Sequence, residues 1–144
     1  MRAAQAPNRP FDLNVRALTE LSLAFVDSLA RHRGGILNVA SLASFLPAPG
    51  MAVYYATKAY VLSFSEALSK ELHRKGVRVT ALCPGPVPTE FQARAGLTGS
   101  RRGGLLELSA REVAEAGFRG FAARKRLVVP GRLNKLVPLL PRIF

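Results

Sequence analysis

The chain has 144 residues, 49% of them hydrophobic, and one cysteine, so it can bury one modest core and has no internal disulfide framework or cysteine-built metal cluster. Its net charge of +12 and pI near 11.3 would suit a nucleic acid, yet the arginines are scattered, and no aromatic residues interleave Arg101-Arg102 or Arg124-Lys125-Arg126 for stacking, which argues against that partner. No apolar run of about eighteen residues occurs, and Met1–Gln5 lacks the apolar stretch of a signal peptide, so the expectation is a soluble, cytoplasmic protein.

Residues 1–10 hold Pro7 and Pro10 and little apolar periodicity, and read as an irregular lead-in. From Phe11 to His32, apolar residues at Leu13, Ala17, Leu21, Ala24, Phe25 and Leu29 recur at helical spacing, with Asn14 in the first turns. Basic residues Arg31, His32 and Arg33 followed by Gly34 give the helix its end, with glycine as the C-cap. Ile36, Leu37 and Val39 form a short buried strand that delivers Ser41 to its C-terminal end, where open α/β sheets place ligands. A loop with Pro47, Pro49 and Gly50 follows, in which Ser44 is a second hydroxyl that lines the site at most. A long helix then spans Tyr54 to Lys75, closed by His73-Arg74-Lys75-Gly76.

Val77, Val79, Ala81, Leu82 and Cys83 make a nearly continuous apolar run, the mark of a parallel strand buried on both faces, with Cys83 in the core. Pro84-Gly85 stops it. Gly, Thr, Ser and Arg dominate from Phe91 to Gly104, a loop able to cover substrate. Ser109 and Glu112 form a capping box at the head of a helix running to about Ala123. Leu127-Val128-Val129 is a last strand, and residues 132–144 are an apolar, basic tail, packed as an arm or, on a weaker reading, touching a membrane surface.

Tyr54 and Lys58 are four apart, so on a helix they share a face one turn apart. A positive charge beside a phenol favours phenolate and brings it towards acid/base range, and Ser41 offers a hydroxyl for a substrate oxygen. Each residue alone has an ordinary reading: Asn14 as a cap, Tyr54 as core, Lys58 as a snorkelling surface residue. Their joint pattern resembles the short-chain dehydrogenase/reductase family of the classical type, and specifically its C-terminal portion. Ser41 stands thirteen residues before the tyrosine of Tyr54-x-x-x-Lys58, Asn14-Val15 looks like the family's helix asparagine, and Pro84-Gly85-Pro86-Val87-Pro88-Thr89 looks like its Pro-Gly-x-x-x-Thr segment. The family's Thr-Gly-x-x-x-Gly-x-Gly turn and Asn-Asn-Ala-Gly segment have no match here.

The resemblance implies an α/β fold, a Rossmann-like doubly wound parallel sheet over residues 11–131 without its N-terminal half. It implies an oxidoreductase that moves a hydride between NADP or NAD and a small carbonyl/alcohol substrate. Tyr54 would be the acid/base, Lys58 would lower its pKa and hold the nicotinamide ribose, Ser41 would position the substrate oxygen and Asn14 would anchor a relay water. Pro84, Gly85, Val87 and Thr89 would hold the carboxamide end of the cofactor, together with Tyr54 and Lys58. A homodimer through the Tyr54–Lys75 helix is implied as well, its small residues Ala56, Ala59, Ser63 and Ala67 allowing close approach. Two rivals stand beside this reading. One is an inactive fragment or a non-catalytic protein completed by a partner; the other is a basic nucleic-acid or membrane-surface binding module.

Overall fold

A computed structural model describes residues 9–88 and 106–139. The chain opens with α1 (Arg9–Phe11), a π-helical turn (Asp12–Ala17), α2 (Leu18–Ala24) and α3 (Val26–Arg31), followed by β1 (Gly35–Val39) and a 3-10 turn (Leu42–Phe45). Next come α4 (Ala52–Leu72), a 3-10 turn (His73–Lys75), β2 (Arg78–Leu82), α5 (Ala110–Ala122), β3 (Leu127–Val128) and a 3-10 segment (Asn134–Leu139). The three strands are parallel in the order β1-β2-β3, with Gly35 opposite Arg78 and Val39 opposite Leu82. This is the α/β, Rossmann-like arrangement the sequence called for.

Alternation along β2 sorts the two faces. Val79, Ala81 and Cys83 join the clusters built by Val61, Leu62, Leu68 and Leu72 of α4. On the other face a Cβ on Gly117 of α5 would meet Leu82 at 2.7 Å, Thr80 donates to the Lys125 carbonyl at 2.7 Å and the Arg78 guanidinium lies 4.6 Å from the Phe121 ring centre. Helices therefore cover both faces of β2, which explains its unbroken apolar run.

The opening helix departs from expectation in three ways. It begins at Arg9, its early turns are π-helical, and Phe25 interrupts it with φ −94° and ψ −2°. Its end uses Arg33, not a glycine, in the left-handed region (φ 51°), with Gly34 N–H donating to Leu29 O at 2.8 Å. The glycines serve closeness instead: a Cβ on Gly34 would lie 2.7 Å from Leu29 Cδ2, and one on Gly35 would lie 2.7 Å from Arg78 O. Gly76, by contrast, takes the left-handed cap expected of it, with φ 73°.

Candidate active site

Two loops leave the C-terminal ends of β1 and β2 side by side, because Leu42 N–H donates to the Pro84 carbonyl at 2.9 Å. Ser41 caps the short turn after β1, its Oγ accepting from Ala43 N–H at 3.1 Å. Ser44, two residues into that turn, is buried and donates to the Lys58 carbonyl at 2.7 Å. That bond clamps the loop to α4 at the lysine itself, so Ser44 shapes the site without facing it.

α4 carries Tyr54 and Lys58 one turn apart, as the spacing required. The Tyr54 phenol hydrogen-bonds the Ser41 side chain. Lys58 Nζ lies 6.0 Å from the centre of the Tyr54 ring and donates to Val39 O at 2.9 Å, at the end of β1. Burial holds the phenol above its usual range of about 10, the Ser41 bond draws it back in part, and neighbouring Tyr55 raises it further. Burial also holds the Lys58 ammonium below its ordinary range, with Cys83 opposing. The expected lowering of the phenol by Lys58 does not figure here: burial dominates, the lowering comes from Ser41, and the ammonium is engaged with a strand carbonyl.

Asn14 sits in the π-helical turn, and its Nδ2 donates to Thr57 Oγ1 at 3.2 Å. Thr57, 1% exposed, donates in turn to the Tyr54 carbonyl at 2.8 Å. The asparagine is thus joined to the tyrosine's own backbone through a threonine that sequence reasoning passed over as one more residue of α4. A buried hydroxyl three residues after a candidate acid/base was the available signal. The other Asn of this region, Asn38 of β1, donates to Ser65 Oγ at 2.9 Å, and Ser65 to Val61 O at 2.7 Å, which locks strand to helix.

The Pro84–Val87 loop is braced from behind. Leu108 N–H donates to Pro86 O at 3.3 Å, and a Cβ on Gly85 would lie 2.8 Å from Asn134 Nδ2 and 3.0 Å from Leu106 O. Asn134 is 1% exposed and its Nδ2 donates to Pro130 O at 2.8 Å and Leu106 O at 3.2 Å. The tail residue ties three segments behind the loop, a role that the alternation of apolar and basic residues hid. An asparagine three after Pro130-Gly131, in a stretch otherwise of apolar and basic residues, was the clue. Thr89 lies outside the described residues. Cys83, wholly buried with its thiol pushed up to about 12 by burial, is core as expected. Among the described residues there is no group of three or more His, Cys, Asp or Glu able to hold a metal, and no helix long and apolar enough to cross a membrane.

The family model described as short chain dehydrogenase matches residues 2–99. The serine 3-dehydrogenase of Agrobacterium fabrum is 39% identical over 80 residues, which are 56% of this chain and 32% of that protein. A short-chain dehydrogenase from Sphingobium yanoikuyae, solved with NADPH, superimposes with a TM-score of 0.77 at 33% identity, over 89% of this chain and 50% of that one. The bulky-bulky ketone specific alcohol dehydrogenase from Comamonas testosteroni does so with a TM-score of 0.74 at 30% identity, over 94% of this chain and 52% of its own. The chain thus spans about a third of that curated relative and about half of those solved structures.

Proposed function

The chain belongs to the short chain dehydrogenase family, and from that premise we propose that it carries the proton-transfer and nicotinamide-end half of an NADP- or NAD-dependent oxidoreductase acting on a carbonyl/alcohol pair. The observation that carries this reading is the Tyr54–Ser41 hydrogen bond with Lys58 Nζ 6.0 Å from the phenol ring, at the mouth formed by two sheet loops. When bound, the cofactor supplies or takes the hydride. Tyr54 gives its proton to the substrate oxygen in reduction and removes it in oxidation, while Ser41 holds that oxygen in line. Lys58 would hold the nicotinamide ribose, and its charge would steady the phenolate as it forms. Asn14 acts through Thr57 on the Tyr54 backbone and offers a site for a relay water.

The residues fit the nicotinamide end of a dinucleotide. Pro84 and Gly85 frame a pinned loop beside Ser41, and Val87 and Thr89 follow in sequence as the residues that would hold the carboxamide. The pyrophosphate end asks for a glycine-rich turn at a helix N-terminus, which this sequence does not contain. NADP and NAD are therefore equal candidates, and the substrate is a small carbonyl compound or alcohol of unspecified class. The outward residues of α4, Ala56, Ala59, Ser63 and Ala67, are exposed and small, which supports a homodimer along this helix.

The test couples binding to turnover. The folded chain is titrated with NADPH and NADH by nicotinamide fluorescence, then assayed against ketones. Tyr54→Phe should leave binding intact and cut turnover by roughly 10²–10⁴-fold; an unchanged rate overturns the role of Tyr54, and no binding by either nucleotide overturns the reading for this chain alone. With the phenol raised above about 10, reduction should hold level through neutral pH and fall only in strong alkali, where Tyr54 has lost the proton it must give. Oxidation should climb over the same range.

A further inference from the structure

The segment after β3 sorts its side chains onto three lines. It is 3-10 over Asn134–Leu139, and the Leu136 N–H donates to the Leu133 carbonyl at 3.0 Å, which carries the same winding back to Leu133. With about three residues per turn, every third side chain falls on one line. Asn134, 1% exposed, and half-buried Val137 form the line that faces the protein. Leu133, Leu136 and Leu139 form the second and are 41%, 56% and 75% exposed. Arg132 and Lys135 form the third and are exposed as well.

Burial is therefore inverted, with the amide inside and the leucines outside. Asn134 has a reason to be inside, since its Nδ2 holds Pro130 O and Leu106 O. The leucines are not needed there, and a single exposed leucine would be ordinary. Three in line make a continuous apolar stripe, and a basic stripe runs beside it. That pairing suits the boundary of an anionic bilayer, where leucines enter the acyl region and cations stay among the headgroups.

The charge around the stripe favours the same partner. Residues 116–144 contain seven arginines and lysines and no aspartate or glutamate, so this part of the chain holds +7 of the net +12. Lys135 also joins Arg119 and Lys125 around a hollow of about 490 Å³ beside β3. Glu115 reaches that rim only at the limit of pairing, 4.0 Å from Arg119. A nucleic acid could use these cations but has nothing to set against three leucines, and no aromatic residue occurs from Leu127 to Leu139 for base stacking.

We propose that the stripe of Leu133, Leu136 and Leu139 is a docking surface for an anionic lipid bilayer. The leucines enter the acyl boundary, Arg132 and Lys135 meet headgroup phosphates alongside, and the hollow between Lys135, Arg119 and Lys125 takes a further headgroup. None of these residues belongs to the Tyr54 site, so the inference stands apart from the enzymatic reading.

The chain contains no tryptophan, so a single one reports on its own surroundings. Leu136→Trp is mixed with vesicles of equal parts phosphatidylglycerol and phosphatidylcholine, the latter brominated in its acyl chains. Leu21→Trp is the control, because Leu21 is 60% exposed beside a groove of about 570 Å³ between β1 and the opening helices. Bromine should quench the first reporter and spare the second. Sedimentation of the unsubstituted chain should show binding that weakens as salt rises and is at least ~10-fold weaker to pure phosphatidylcholine. The pair Leu133→Ser with Leu139→Ser, and the pair Arg132→Gln with Lys135→Gln, should each weaken it at least ~10-fold while leaving the circular dichroism unchanged. The proposal is overturned if anionic vesicles do not bind, or if both reporters are quenched equally, the mark of an unfolded or indiscriminately adhesive chain. It is overturned too if binding ignores the leucine pair, the mark of a surface that reads charge alone. A blue shift of Leu136→Trp that grows with protein concentration in the absence of lipid would assign the stripe to a second copy instead.

Discussion

β1 and β2 are neighbouring parallel strands of equal length, yet their surroundings differ sharply. β2 has a strand on each side and a helix on each face, and Val79, Thr80, Ala81 and Leu82 are all buried. Among the described residues β1 has a strand on one side only, with Asn38 as its one buried residue and Val39 half exposed. Hydrophobic content alone does not set burial; the number of neighbours does. The same contrast divides the candidate site, because Ser41, Tyr54 and Pro84 sit where β1 meets β2, on the packed side, whereas Lys58 reaches round to the open one.

Substitutions sharpen this contrast. Leu68, in the cluster under β2, should cost roughly 2–5 kcal/mol as Leu68→Ala, read by urea unfolding. Leu21→Ser on the open side should change stability by no more than about 0.5 kcal/mol; an equal cost at the two positions would mean that the groove is core after all. Next in size is Ser44→Ala, which removes the hydroxyl that clamps the loop to α4 and should cost about 1–3 kcal/mol while also loosening the site, visible as a higher KM. A smaller cost than that of Ser44→Ala lies on α5. Ser109→Ala removes a capping box and should cost about 1 kcal/mol. Its Ser109 bonds hold the Glu112 carboxyl below its ordinary value near 4.5, so the carboxylate's share of the box is complete above that pH and fades as acid carries the carboxyl through its lowered value. A stability difference between wild type and Ser109→Ala that does not narrow on acidification, down to the share of the bond from Glu112 N–H to Ser109 Oγ, would contradict that account.

Much of this was legible in the amino acids. The run Val77–Cys83 announced a doubly covered strand, Ser109 and Glu112 announced a helix start, and the spacing of Ser41, Tyr54 and Lys58 announced a shared site. What escaped depended on contacts between distant residues. A π-helical turn has no periodic cue of its own, so the placing of Asn14 against Thr57 stayed hidden. The left-handed Arg33 replaced a glycine cap because Gly34 and Gly35 were already committed to close approach, which only packing reveals. Desolvation of Tyr54 likewise belongs to the fold and not to its neighbour four residues on.

The amide of Asn134 has a consequence for the order in which the chain assembles. By grasping Leu106 O and Pro130 O together it closes the segment containing α5 and β3 into a loop with its own clasp. Such a segment can detach and re-form as one cooperative unit while β1, α4 and β2 stay together. Its release would withdraw the brace behind Gly85, so partial unfolding at the far end of the chain would be felt first as slackness in the Pro84–Val87 loop.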